Sequence, residues 1–245
     1  MVKIWSLFAI VALLPLVMPN THHKPKSCYE VKQFLKATEN GFFTLYDANG
    51  NPFRSFCDFE SEPPFAWTLI ESMTLENAQK AQHNKGFSVN IPLGECHTSM
   101  SLFRLPSHHM SSVLSSYGST HYRSTCNFNI IEGTGLANRR DYIRFSACRG
   151  ASTLSNINGG CVEVDYINIR GQSCRKCQMP FYASSSHHLH IDLSAATTTC
   201  SRFGFTNFVA NEDVFGYYNS HNPTFSCTAN KNSTTAWWIG GAYAE

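Results

Sequence analysis

Ten cysteines, at positions 28, 57, 96, 126, 148, 161, 174, 177, 200 and 227, all lie beyond an apolar stretch that opens the chain. That stretch carries one charge, Lys3, and runs apolar from Ile4 to Val17 apart from Ser6 and Pro15. This is the layout of a secretory leader, expected over residues 1–20 and followed by a polar spacer at 21–27. An even set of thiols behind such a leader implies disulfides closed in an oxidising compartment. Ten thiols admit roughly 900 complete pairings, so counting and spacing leave the connectivity open. What they fix is the class: a secreted chain held in shape by cross-links.

Charge narrows the partners. The chain carries 19 Lys and Arg against 17 Asp and Glu, and loss of the leader removes only Lys3. No basic run exceeds Arg139-Arg140. Nucleic acid, whose binding draws on clustered basic residues, is therefore not an expected partner. No second apolar run after Val17 is long enough to cross a bilayer, so no membrane span is expected once the leader is gone. The 220 or so remaining residues suffice for an extensive core.

Local patterns give the order of elements. Ser27 followed three residues later by Glu30 opens a capping box, and Cys28, Val31, Phe34 and Leu35 recur at helical spacing until Asn40-Gly41. From Gly41 to Tyr46 the chain is aromatic and β-branched, Asp47 to Gly50 carries turn chemistry, and Pro52 to Phe59 forms a return strand with Phe53, Ser55, Cys57 and Phe59 on one face. Pro63-Pro64 interrupts, and Trp67 to Ile70 restarts as a buried strand. A second short helix is expected within Thr74 to Gln82. A strand is expected over Cys161 to Arg170, where Val162 and Val164 alternate with Glu163 and Asp165. Gly150 to Gly160 is loop-like in composition. The expected class is α+β with predominantly antiparallel strands.

Ser27-Cys28 with Glu30-Val31, Gly41-Phe42-Phe43-Thr44-Leu45, Pro52-Phe53, Phe56-Cys57-Asp58-Phe59-Glu60 and Trp67-Thr68-Leu69-Ile70 resemble, in order and spacing, the opening of fibrinogen-related and intelectin-like domains. The resemblance covers residues 28–72 and implies a fibrinogen-like N-terminal unit there, with Cys28 bonded to Cys57. Phe65-Ala66 stand where the family usually carries a Gly-Gly pair. Residues 73–245 form a cysteine-rich, β-rich remainder. That remainder is similar to tails of skeletal organic matrix proteins of stony corals, through Thr125 to Asn129, Tyr166 to Gly171, Asp213 to Tyr217 and Trp237 to Gly240.

The resemblance also implies calcium, since lectin-like members of the family bind it. The candidate ligands in the C-terminal half are Asp192, Asn211 and Asp213, beside Glu212, though their spacing matches neither the family's calcium loop nor an EF-hand. No other cofactor is expected. His188 and His190 share a strand face and, with Cys174-x-x-Cys177, sketch a zinc site. An oxidising compartment favours structural cysteines instead, each of the two beginning a separate bridge. Gly133 to Asn138 lacks the third small residue of a dinucleotide loop. Serines and histidines crowd Ser107 to His121, yet no Gly-x-Ser-x-Gly and no His-Glu-x-x-His occurs, and no enzymatic activity is expected. The aromatics from Phe203 to Trp238 read as packed core rather than a sugar-stacking surface. Asn232-Ser233-Thr234 is a glycosylation sequon. Together these features lead to an expected secreted structural or adhesive protein of the extracellular matrix, a mineralising skeletal matrix included, whose partners are matrix components or glycans. The alternative is a soluble calcium-dependent lectin of the fibrinogen-like or intelectin-like kind.

Overall fold

Near the start of the described residues Ser27 Oγ accepts the Glu30 N–H at 3.4 Å while Glu30 Oε2 accepts the Lys26 N–H at 2.9 Å. The computed structural model describes residues 23–93, 99–128, 141–148, 157–196, 200 and 206–243. The expected leader, Cys96, the Gly133 to Asn138 segment, Phe203 and Phe205 lie outside them.

Helix α1 (Cys28–Leu35) ends at Lys36, whose φ of 56° is left-handed, short of the Asn40-Gly41 stop signal. It buries Cys28, Tyr29, Glu30 and Val31, whereas Phe34 and Leu35 are 47% and 53% exposed, against the expected apolar stripe. Pinning explains this: the Cys28 N–H donates to Thr68 Oγ1 at 2.8 Å and its sulfur is bonded to Cys57, so one end of the helix is tied to the sheet.

Strands β1 (Gly41–Tyr46) and β2 (Pro52–Asp58) pair antiparallel from Gly41 opposite Cys57 to Tyr46 opposite Pro52. Asp47 Oδ1 makes their turn by accepting the Asn49 and Asn51 N–H groups at 2.9 and 2.8 Å. β3 (Phe65–Thr74) is longer than expected, and Thr74 caps α2 (Leu75–Ala78). There follow β4 (Leu102–Arg104), α3 (Ser107–Ser115), β5 (His121–Cys126), β6 (Tyr142–Ser146), β7 (Ile157–Val164), β8 (Tyr166–Ile169), β9 (Gln172–Cys174), β10 (Cys177–Ala183), β11 (His190–Asp192), α4 (Leu193–Ala196), β12 (Asp213–Val214) and β13 (Thr234–Ala242).

These strands form two sheets. The larger has the order β1-β2-β3-β13-β5-β6-β8-β9, with β4 also on β3, and the smaller the order β12-β11-β10-β7. β13 therefore lies inside the large sheet, its Thr234 to Ala242 running opposite Thr74 to Phe65 on one side and Thr235 to Gly240 opposite Cys126 to His121 on the other. The boundary expected at residue 72 falls inside β3. Fully buried Phe181 of β10 meets Phe145 of β6 at 4.8 Å between ring centroids, and Phe145 meets Trp237 at 6.2 Å, which joins the sheets through one apolar layer. Within the large sheet Gly240 lets β13 lie close to β3, since a Cβ there would sit 2.2 Å from the Ala66 carbonyl oxygen and 2.7 Å from the Trp67 ring.

The α+β class is thus corrected to a β-rich one. Both sheets are antiparallel, the longest helix among the described residues has nine residues, and strands supply most of the core. Apolar spacing at the start of α1 suggested a helical layer, but only its first turn is buried. The single strand expected at Cys161 to Arg170 is two strands in different sheets, the chain switching at Asp165, whose N–H donates to the Arg144 carbonyl at 2.9 Å. Residues 157–160, read as loop, belong to β7, where pairing with Phe181 to Ala183 overrides their glycine content.

Four disulfides are present: Cys28–Cys57, Cys126–Cys227, Cys161–Cys200 and Cys174–Cys177. The last corrects the expectation of two separate bridges. Lys176, left-handed at φ 52°, folds the short link back and brings the two Cα atoms to 6.1 Å. Exposed Cys148 has no disulfide partner among the described residues.

Candidate functional site

Among the described residues, two clusters of buried charge lie on the large sheet, beside the separate Arg170–Glu212 pair. In the first, Arg123 of β5 has a fully buried side chain lying between the indoles of Trp67 on β3 and Trp238 on β13, at 4.7 and 4.5 Å from the ring centroids. Its Nη2 donates to Asp58 Oδ2 at 2.5 Å, and its Nη1 to Ser61 Oγ at 3.0 Å and Glu62 Oε2 at 3.4 Å. Glu62 also accepts from the Tyr142 hydroxyl at 2.7 Å and from Arg144 Nη1 at 2.6 Å. Burial alone would push the Asp58 carboxyl up; the Arg123 guanidinium and the Ser61 hydroxyl outweigh it and hold Asp58 below its ordinary value. Burial, and then the Glu62 charge, push the Tyr142 phenol well above the usual range.

The second cluster is centred on Glu71 of β3. Arg104 Nη1 of β4 donates to Glu71 Oε2 at 2.8 Å, and the guanidinium also reaches the carbonyls of Lys85, Gly86 and Val89 at 2.8, 2.6 and 3.2 Å, clamping that loop. His188 Nε2 lies 2.5 Å from Glu71 Oε1 while its Nδ1 donates to the Leu189 carbonyl at 2.7 Å. Burial again favours the neutral carboxyl, and His188 and Arg104 together overcome it, so the Glu71 acid is depressed. A cavity of about 10 Å³ lies beside this group, lined in part by His83, Asn84 and Gly216. It has room for about one water molecule and none for an organic ligand.

The sequence-read candidates fall in separate places. Asp192 and Asp213 face each other across the β11–β12 register. Asn211 is left-handed at φ 57°, and Glu212 is bound to Arg170 at 2.5 Å. Burial, then the charges of Asp192 and Glu212, push the Asp213 carboxyl up to about 7. His188 is engaged with Glu71, and His190 Nδ1 donates to the His188 carbonyl at 2.7 Å. Burial chiefly lowers the His190 imidazole to about 4. With Cys174 and Cys177 bonded to each other, the two histidines and the two thiols do not assemble a zinc site. Asn232 is exposed in the turn before β13, where a glycan has room. Phe215, Phe225, Trp237 and Trp238 are all buried.

Hydroxyl–imidazole contacts occur at two places on the surface. Thr120 Oγ1 lies 2.8 Å from His121 Nδ1, with His121 Nε2 3.4 Å from Asp165; Ser184 and Ser186 both lie 3.0 Å from His187 Nδ1. A hydrolase triad places the nucleophile on Nε2 and the acid on Nδ1. Here the hydroxyls sit on Nδ1, the reverse of that order.

Reasoning from the sequence missed the buried charges. The available signal was Glu71, which directly extends the apolar run Trp67 to Ile70, and Arg123, which sits between Tyr122 and the strand-forming Ser124-Thr125. No family model matches the chain, and no curated protein matches it in sequence.

Proposed function

We propose that this is a secreted structural or adhesive protein of the extracellular matrix, acting through a rigid surface. The observation that supports it most is the way the interior is spent: buried guanidiniums and carboxylates tie strand to strand, four disulfides add cross-links, of which Cys28–Cys57 joins α1 to β2 and Cys174–Cys177 joins β9 to β10, and the largest aromatics are enclosed. Cross-links of this kind form and persist in the oxidising environment outside cells. Its partners are matrix components or glycans, and the accessible Asn232 sequon makes it a glycoprotein in this reading. Staining native tissue with an antibody, together with sequential extraction, tests the assignment. Deposition in insoluble matrix is the expected result, and recovery wholly in soluble extracellular fluid refutes it.

The alternative, a soluble calcium-dependent lectin related to fibrinogen-like and intelectin-like proteins, draws support from the Cys28–Cys57 bridge between α1 and β2 and from the paired carboxylates of Asp192 and Asp213. Burial of Trp237 and Trp238 counts against an aromatic sugar platform there. A glycan array probed with and without calcium separates the two readings, calcium-dependent spots favouring the lectin.

A further inference from the structure

We propose that Asp47, His108 and His109 form a binding site for a borderline divalent cation, zinc fitting best, where the first turn of α3 crosses the β1–β2 turn. This goes beyond the matrix reading and does not depend on it. Among the described residues these three form the one group of His, Cys, Asp or Glu donors whose ligand atoms all come within 4.8 Å of one another.

Asp47 and His109 are held by their surroundings, and His108 is placed by its backbone. Asp47 Oδ1 is fixed by the Asn49 and Asn51 amides, and Oδ2 takes a bond of 3.0 Å from Asn51 Nδ2, which leaves further lone-pair capacity on Oδ2. The His109 ring stacks on Phe53 of β2 at 4.2 Å and 14°, which sets its plane. Its Nε2 stands 3.9 Å from Asp47 Oδ2, beyond hydrogen-bonding reach. Its Nδ1 is enclosed with no hydrogen-bond partner among the described residues. His108 is exposed, and its ring centroid lies 4.0 Å from that of His109. Ser107 is anchored as its N–H donates to Asn90 Oδ1 at 2.8 Å, so the helix start is fixed while the His108 side chain is free to turn.

Spacing and donor type select the ion. Ligands at about 2.0–2.2 Å from a tetrahedral zinc stand about 3.3 Å apart, so the His109–Asp47 pair needs to close by only about half an ångström and His108 supplies the rest by rotation. Two imidazoles and one carboxylate suit zinc and its neighbours, whereas calcium requires about six to eight oxygens. The fourth position stays open to solvent or to a donor from a partner.

The test is calorimetric titration of the tag-free, metal-stripped full chain with zinc chloride, beside His108→Gln. His108 lies at the surface, so that variant should melt at the wild-type temperature. One zinc per chain is expected, weakened at least about tenfold in the variant. Cobalt in place of zinc should give the visible bands of four-coordinate Co²⁺ in the wild type and lose them in His108→Gln. Absence of saturable one-to-one binding, or binding undiminished in His108→Gln, overturns the proposal.

Discussion

Replacing Arg123 with methionine keeps an unbranched apolar stem between Trp67 and Trp238 but removes the cation from a place with no solvent access. The loss falls unequally on its two acid partners. Glu62 retains Arg144 at 2.6 Å and the Tyr142 hydroxyl at 2.7 Å, while Asp58, itself fully buried, keeps only the hydroxyl and amide of Ser61 and the Glu60 amide. Breaking a buried pair by removing one member costs about 3–5 kcal/mol, against a typical total stability of about 5–15 kcal/mol. Urea unfolding with disulfides intact should show a loss of about 4 kcal/mol for Arg123→Met. Because the two residues share one interaction, the double variant with Asp58→Asn should cost roughly 2 kcal/mol less than the summed singles. The pH dependence has a definite sign. In the wild type Asp58 lies below its ordinary 3.8, so its contribution is present above that value and is lost as pH falls through the depressed value. Without Arg123, burial is left to raise it, and the contribution is instead lost as pH rises above 3.8. The gap between the proteins should therefore widen from pH ~3 to pH ~7. A loss under about 1 kcal/mol, additive singles, or a gap independent of pH refutes the account.

His190, lowered from 6.5 to about 4, contributes stability that is complete above 6.5 and is lost as pH falls toward 4. That window is worth about 3 kcal/mol, and His190→Phe, which keeps the ring against Tyr182, should flatten the melting-temperature curve across it; an unchanged acid limb refutes this. Removing the Cys126–Cys227 bridge, with 101 residues of separation, should cost about 4.7 kcal/mol, and removing Cys174–Cys177, with three, about 1.6 kcal/mol, so thermal melts showing the reverse order would contradict the chain-entropy argument. Peptide mapping without reduction should join Cys148 to Cys96, the two cysteines left when the other eight are paired; a free thiol at Cys148 in secreted material would disprove it.

What was legible in the sequence was what is decided nearby. β1, its turn and β2 came out at their observed positions because alternation, the Asp47 side chain and Gly50 at φ 81° are all local causes. The capping box at Ser27 placed the start of α1, but the Asn40-Gly41 signal overshot its end, which comes where Lys36 turns left-handed at φ 56°. The place of β13 between β3 and β5 had no local mark, since Thr74 and Thr234 meet across most of the chain. Asp47 read as a turn residue and His108-His109 as part of a polar stretch; only the crossing of α3 over the hairpin joins them.

Buried charges were the least legible, and they explain why this topology excludes its neighbours. Arg123 is tolerable inside the sheet only where Asp58, at the end of β2, and Glu62, from the segment that follows, meet it beside Trp67 and Trp238. A one-residue slip of β5 against β13 would turn Arg123 to the opposite face and leave Asp58 buried without a cation. Glu71 imposes the same condition on β4 through Arg104, and on the small sheet through His188 just before β11. Wrong pairings therefore strand charges in the interior, at several kcal/mol each. The hydrophobic pattern alone makes many strand orders comparable, and these few ions separate them.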